Sequence, residues 1–351
     1  MTIIYFLFST ILLFFFLVLL FGFFLSGPSY NGPKSDHYNG KKFMNPNGLE
    51  AKGFKDVFKF VRERKMEPYQ FNYETFVRKE AIPEKLEESK VKITFVNHST
   101  FLIQYAGLNI LTDPIWSFRC SPFQFAGPKR MRPPGVKFED LPNIDLVLLS
   151  HNHYDHFDSN TVKDLIKKFQ PQFIVPLGMK KSIQKLGGKR VDEIDWNQSF
   201  NFQKISITGT PANHFTSRGL FDRDKTLWCG YLLQFDHHKL YFVGDTGYGP
   251  NFKKIGKQYG PIDICLIPIG AYKPEWFMEP IHISPPQAIQ VHKDIQSVQS
   301  IAMHFGTFPL ADDGQGTAEK ELAQAMDESN VDAMTFIVPD EGHSYDFEVK
   351  N

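Results

Sequence analysis

Six consecutive residues, His151-Asn152-His153-Tyr154-Asp155-His156, carry four side chains able to bind a metal ion. Neutral imidazoles and a carboxylate are suitable donors for zinc and its neighbours. The apolar run Asp145-Leu146-Val147-Leu148-Leu149-Ser150 precedes them and reads as a buried strand. A loop leaving a strand end can turn such closely spaced side chains toward one point, which a strand or helix face cannot do. Three further donors, His214, Asp245 and His304, also follow strand-like runs. One zinc needs three or four protein ligands, so these seven donors are enough for two metals. The expected division is His151, His153 and His214 on one metal, and Asp155, His156 and His304 on the other, with Asp245 bridging.

The elements that must place these residues begin at Val91. Lys92–Val96, Thr100–Tyr105 and Leu108–Thr112 read as strands separated by turn signals such as Ala106-Gly107. Asp113-Pro114 ends the third, and a long aperiodic loop runs through Trp116, Arg119 and Arg130. Long loops in compact domains are often functional. After the His151 strand, Asp158 or Ser159 caps a helix bearing Val162, Leu165, Ile166 and Phe169. Gln172–Leu177 is a strand, and a short helix ends at Gly187-Gly188. In the second half, Lys204–Thr208 leads toward His214. Leu227–Phe235 and Lys239–Val243 form a hairpin around Asp236-His237-His238, and the latter strand delivers Asp245. Ile262–Ile269 is a buried strand, Ser284-Pro285-Pro286 opens a helix, and Ser300–Met303 delivers His304. Thr317 is expected to cap the last long helix and Thr335–Val338 to be the final strand. Two strand-rich halves, each with helices, predict an α/β fold of two sheets packed face to face with helices outside.

The N-terminus differs in kind. Ile3–Leu25 is uncharged and nearly all apolar, and as a helix it reaches roughly 34 Å, enough to cross a bilayer. A cleaved signal peptide would carry a basic start and a shorter apolar core, so a retained single-pass anchor is expected. Lys34, Lys41 and Lys42 follow it while no basic residue precedes it, which places the globular part on the cytoplasmic side. The expected organisation is an anchor at 1–26, a tether and N-terminal extension at 27–90, and a catalytic domain at 91–351. Within the extension, Gly53–Arg64 reads as an amphipathic helix with Phe54, Val57, Phe58 and Val61 on one face.

The chain has 351 residues and a formal net charge of zero, with no long basic block, so no nucleic-acid partner is expected. Cys120, Cys229 and Cys265 are widely spaced, which indicates neither a disulfide framework nor a thiolate zinc site. A Gly-x-Ser-x-Gly elbow is absent. His237-x-Lys239 begins a His-x-Lys-x4-Asp motif, but Gly244 occupies the required acid position and Asp245 misses it by one.

The pattern His-x-His-x-Asp-His, followed by a later His, Gly-Asp-Thr and His, resembles the metallo-β-lactamase superfamily. Leu111–Ile115, Gly127–Arg130, Ser150–His156, Gly244–Tyr248, Ile267–Tyr272 and His304–Phe308 narrow the resemblance to the N-acylphosphatidylethanolamine-hydrolysing phospholipase D family. The resemblance covers about Val91 to the C-terminus and leaves out the apolar N-terminal helix. It implies a four-layer αββα sandwich, two zinc or other divalent ions, and the same ligand division. The implied reaction is hydrolysis of a phospholipid phosphodiester by a metal-bridging hydroxide. Asp155, Asp245 and His282 are then the catalytic candidates, with His282 protonating the leaving group or holding a phosphate oxygen. Tyr154, Tyr248, Tyr272, Trp276 and Phe277 are candidates for substrate contact, Trp276 and Phe277 as an apolar wall for acyl chains. His98 and Asp113 match family positions and read as supports for the ligands. Gly342-His343, where the family commonly has Gly-Glu, and Pro280-Ile281 depart from the pattern around the substrate pocket. The expected partners are a phospholipid and the membrane, and the oligomeric state stays open, a homodimer included. The alternatives are a lactonase or soluble phosphodiesterase of the same fold, or a non-catalytic scaffold.

Overall fold

Alternation of apolar residues to two faces organises the first sheet. Phe101, Ile103 and Tyr105 turn to one core cluster, while Leu102 between them joins another. The computed structural model describes residues 2–348 apart from 47, 49, 67–68, 70–80, 87–89 and 237. Helix α1 is Thr2–Leu25 and α2 is Phe54–Glu63. The first half then runs β1 Lys90–Asn97, β2 Thr100–Tyr105, β3 Leu108–Thr112, β4 Leu146–Leu148, α3 Ser159–Phe169, β5 Gln172–Pro176, α4 Lys180–Lys185 and β6 Val191–Ile194. The second half begins with β7 Ser199–Phe202, β8 Ile205–Thr210, β9 Gly230–Phe235, β10 His238–Phe242, α5 Asn251–Tyr259 and β11 Ile262–Pro268. It continues with α6 Glu275–Met278, α7 Pro285–Asp294, β12 Ser297–Met303, α8 Thr317–Glu328, β13 Phe336–Ile337 and β14 Ser344–Glu348.

The strands form two seven-stranded sheets, ordered β14-β1-β2-β3-β4-β5-β6 and β13-β12-β11-β10-β9-β8-β7. In each, one half of the sheet is antiparallel (β14 to β3, β9 flanked by β10 and β8, β8 by β7) and the other half parallel (β3 to β6, β10 to β13). The inner faces share one core, in which Phe95, Ile103 and Leu148 of the first sheet join Leu233, Phe242 and Ile267 of the second. The outer face of the first sheet packs Leu111, Val147 and Phe173 against Val162 and Leu165 of α3 and Ile183 of α4. Strands buried on both faces read as continuous apolar runs, as β11 does. The whole is the four-layer αββα sandwich of the metallo-β-lactamase fold.

Several elements differ from the sequence reading. Thr335–Val338 is not the last strand: β14 follows and pairs antiparallel with β1, Lys90 opposite Glu348. Its alternation of Ser, Tyr, Asp, Phe and Glu hides two inward aromatics, Tyr345 and Phe347, which pack on the core. Gly316, at φ 80, caps α8, and Thr317 is its first residue. The strand expected from Leu227 starts only at Gly230, because the Leu227 and Cys229 amides bond instead to the Leu177 and Ser150 carbonyls of the first sheet. Among the described side chains of α2, Phe60 is buried and stacks on Phe277 at 4.6 Å, whereas Phe58 and Val61 of the expected face are exposed. The short elements β6, β7, α5 and α6 were not foreseen. His237, at the tip of the expected hairpin, lies outside the described residues.

Candidate metal centre

The seven expected donors converge because of strand direction. β1, β3, β4, β8, β10 and β12 all deliver their C-terminal ends to one edge of the sandwich. There they release His98, Asp113, His151, His214, Asp245 and His304 in turn. Gly244, at φ 68, makes the turn out of β10, and a side chain there would press on the Cys229 carbonyl and the Ser150 side chain. His98, Asp113 and His304 themselves have φ of 50, 59 and 32 in the order His98, His304, Asp113, a left-handed conformation costly for such residues.

Two subsets of donors are distinct. His151 Nε2 lies 2.9 Å from His153 Nδ1, which lies 3.2 Å from His214 Nε2. Asp155 Oδ2 lies 3.3 Å from both His156 Nε2 and His304 Nε2. Asp245 Oδ2 sits between the subsets, 3.0 Å from His304 Nε2, 3.2 Å from His156 Nε2 and 3.8 Å from His214 Nε2. His282 Nδ1 is 3.9 Å from the same oxygen.

A layer of partners aims these rings. His156 donates Nδ1–H to Asp113 Oδ2 at 2.7 Å, and His214 donates Nδ1–H to the Ile281 carbonyl at 2.9 Å. Each Nε2 is thereby left to face the centre, the arrangement usual for metal-binding histidines. Asp113 also accepts from the Ser150 amide and hydroxyl, at 2.7 and 2.5 Å. His98 Nε2 lies 3.0 Å from Asp155 Oδ2, and the His98 carbonyl accepts from the His304 amide at 2.8 Å.

Electrostatics give the reason a cation fits. Burial pushes the Asp155 and Asp245 carboxyls up, but the facing imidazoles, His156 foremost, outweigh it and hold both well below the usual carboxylate range. Burial lowers His156 and His304, yet the surrounding carboxylates win: His156 is raised well above its ordinary value and His304 to about 9. Burial dominates for His153, lowered to about 4, and for His214 and His282, lowered to about 3. Buried carboxylates that can be balanced only by protonated imidazoles make a site that divalent cations would neutralise directly. Buried atoms facing the centre that make no hydrogen bond, Asp245 Oδ1 and His282 Nδ1 among them, fit the same conclusion.

The structure places the remaining candidates unequally. His282 joins the centre, its ring 5.2 Å from that of His214. Tyr154 is half-buried beside it, donates to the Arg218 carbonyl at 2.9 Å and lies under the Arg218 guanidinium. Tyr248 turns away and donates to Asp294 at the end of α7, 2.6 Å distant. Tyr272 is buried in the main core rather than offered to a substrate. A loop residue's direction depends on packing that the local sequence does not encode. Phe277 packs beneath α2, while Trp276 is partly exposed on a cleft of about 910 Å³ lined also by Phe60, Arg62, Arg64, Lys65 and Lys273. Sequence reasoning passed over Arg218, which is half-buried and donates to the Asn152 and Phe157 carbonyls at 2.8 and 2.9 Å. It thereby holds both ends of the metal loop, and no motif announced it.

Fold and donors together define a metal-dependent hydrolase. Residues 108–305 match the Beta-lactamase superfamily domain. A Caenorhabditis elegans protein, N-acyl-phosphatidylethanolamine-hydrolyzing phospholipase D 1, is 39% identical over 306 residues, covering 81% of this chain and 84% of the relative. The mitochondrial Saccharomyces cerevisiae protein of the same description is 35% identical, over 66% of this chain and 52% of its own. Among solved structures, an isothiocyanate hydrolase from Delia radicum gut bacteria superposes with a TM-score of 0.61 at 20% identity, over 74% of this chain and all of that one (100%). The chain belongs to the metallo-β-lactamase superfamily and, within it, to the family of the N-acylphosphatidylethanolamine-hydrolysing phospholipases D.

Proposed function

We propose that this chain is a membrane-anchored, dinuclear zinc phospholipase of the D type. It hydrolyses N-acylphosphatidylethanolamine to N-acylethanolamine and phosphatidic acid. The observation that carries the reading is the identity to the worm relative across most of both chains, joined to a donor cluster of two subsets around one carboxylate oxygen. His151, His153 and His214 would hold one ion, Asp155, His156 and His304 the other, and Asp245 would serve both. Ions bound there would supply Lewis acidity, a more acidic water and charge neutralisation at phosphate. Water adds across one P–O bond: its oxygen stays on phosphorus, and the ethanolamine oxygen leaves and takes a proton. His282, beside Asp245, is the residue we assign to that proton or to a phosphate oxygen. Tyr154 and Arg218 keep the metal loop in place. Trp276 offers an apolar wall, while Phe277 fixes α2 under it.

The anchor fits a lipid substrate. α1 is 24 residues of mostly apolar sequence with Phe8, Leu12, Leu13, Phe14, Phe15 and Phe16 among its exposed side chains. Its end is tied to the loop that carries Arg218: Leu220 N donates to the Gly22 carbonyl at 3.3 Å, and Gly27 N to Asp222 Oδ2 at 2.7 Å. A bilayer around α1 would therefore lie close to the metal loop. Lys34, Lys41 and Lys42, following the apolar helix with no basic residue before it, support a cytoplasmic side for the domain.

The test is product analysis with the full chain in mixed micelles and ¹⁸O-labelled water. Long-chain N-acylphosphatidylethanolamine, a cyclic ester and a soluble phosphodiester are offered in parallel. The account expects N-acylethanolamine together with phosphatidic acid carrying the label. Faster turnover of the cyclic ester, or label in the alcohol, contradicts it.

A further inference from the structure

We infer that Asn45 is a positioning residue for the three-histidine subset, so that the strap preceding the domain is part of the metal centre. The inference rests on the metal-site reading above. His214 is the member of that subset carried on a loop separate from His151 and His153, so its backbone needs placing on its own. Two bonds place it. The Asn213 amide donates to Thr246 Oγ1 at 2.9 Å, which ties the loop to that of Asp245. The His214 amide donates to Asn45 Oδ1, also at 2.9 Å, and His214 is only 1% exposed.

Asn45 Oδ1 also accepts from the Trp228 indole at 3.1 Å, but Trp228 has a second acceptor in the Ala212 carbonyl at 2.9 Å. Without the Asn45 oxygen, the His214 amide is the donor left unmet, and a buried amide without an acceptor is rarely tolerated. The loop would shift to satisfy it, and His214 would shift with it.

The strap is fastened firmly enough to act this way. His37 bridges Asp36 and Asp195, at 2.5 and 2.8 Å, and its ring stacks on Trp196 at 4.4 Å. Tyr38 and Phe43 are each 3% exposed and belong to the main core. The Phe43 amide donates to the Asp224 carbonyl at 2.8 Å, and the Met44 amide to that of His37 at 2.9 Å. Asn45 is therefore presented from a segment that is itself packed, as a support for a metal ligand must be.

The experiment compares zinc binding by the full chain, by Asn45→Ala and by Asn45→Asp, in detergent with a competing chelator. Aspartate keeps the accepting oxygen and should restore the site. Wild type and Asn45→Asp are expected to hold two zinc ions. Asn45→Ala is expected to hold one as wild type does and the other about 10- to 100-fold more weakly, the usual effect of removing such a support. Two ions at wild-type affinity in Asn45→Ala overturn the role of Asn45 alone. Equal weakening in Asn45→Asp, or loss of both ions together with a fall in melting temperature, also overturns it. A wild-type chain that binds no zinc removes the metal-site reading and this inference with it.

Discussion

Asp113 shows how much a residue outside the ligand set can decide. Its carboxylate fixes the His156 tautomer and is itself held by Ser150. Asp113→Asn is expected to cost about 10- to 100-fold in metal affinity, read by zinc titration against a chelator, with little change in secondary structure. The imidazoles also predict how the metal-free chain responds to pH. Burial lowers His153, His214 and His282 from 6.5 to between about 3 and about 4, so the unfolded chain takes up protons that the folded chain refuses. Stability falls as pH drops below 6.5. His304, lowered by burial but raised further by Asp245 and Asp155, reaches about 9. Its contribution is full below 6.5 and is lost as pH rises through about 9. Melting temperatures of the stripped protein should therefore peak near neutrality, and a steady rise to alkaline pH would contradict the assignment. The ligands were readable because histidines spaced by one and two residues after a strand have few other uses. Asn45 and Arg218 were not, since one polar residue in a loop carries no periodicity.

Strand exits are the elements that matter most. β11 and β12 run in parallel, and Gly270 beyond β11 lies against the His304 carbonyl, where any side chain would clash. Gly270→Ala is expected to push His304 outward, to cost about 1–3 kcal/mol of stability, and to weaken the Asp155, His156 and His304 site. Thermal melting and zinc content check both effects. The long apolar runs of β2, β3, β5 and β11 and the Asp158 and Ser284 caps could be read from sequence, because period and cap chemistry are local signals. β14 could not, since its pairing joins it to β1 at the far end of the domain. The buried face of α2 was misassigned by one step around the helix. Phe60 faces inward because Phe277 waits for it, a tertiary fact.

At the scale of the molecule, α1, the strap and the domain are joined by hydrogen bonds around the metal centre. The end of α1, Asn45 and Arg218 all reach the loops that carry donors. Removing residues 1–26 should release the chain from membranes in carbonate extraction while leaving its zinc content unchanged, because the strap remains. A truncated chain still resistant to extraction would contradict α1 as the anchor. In the proposed function, this His and Asp cluster hydrolyses a phospholipid with bound metal. Its most direct test measures zinc per chain and release of N-acylethanolamine together, for wild type and Asp155→Asn. The account predicts about two zinc ions and turnover in wild type, with turnover lost and zinc reduced in the variant. Undiminished turnover by Asp155→Asn, or turnover by a zinc-free wild-type chain, would contradict it.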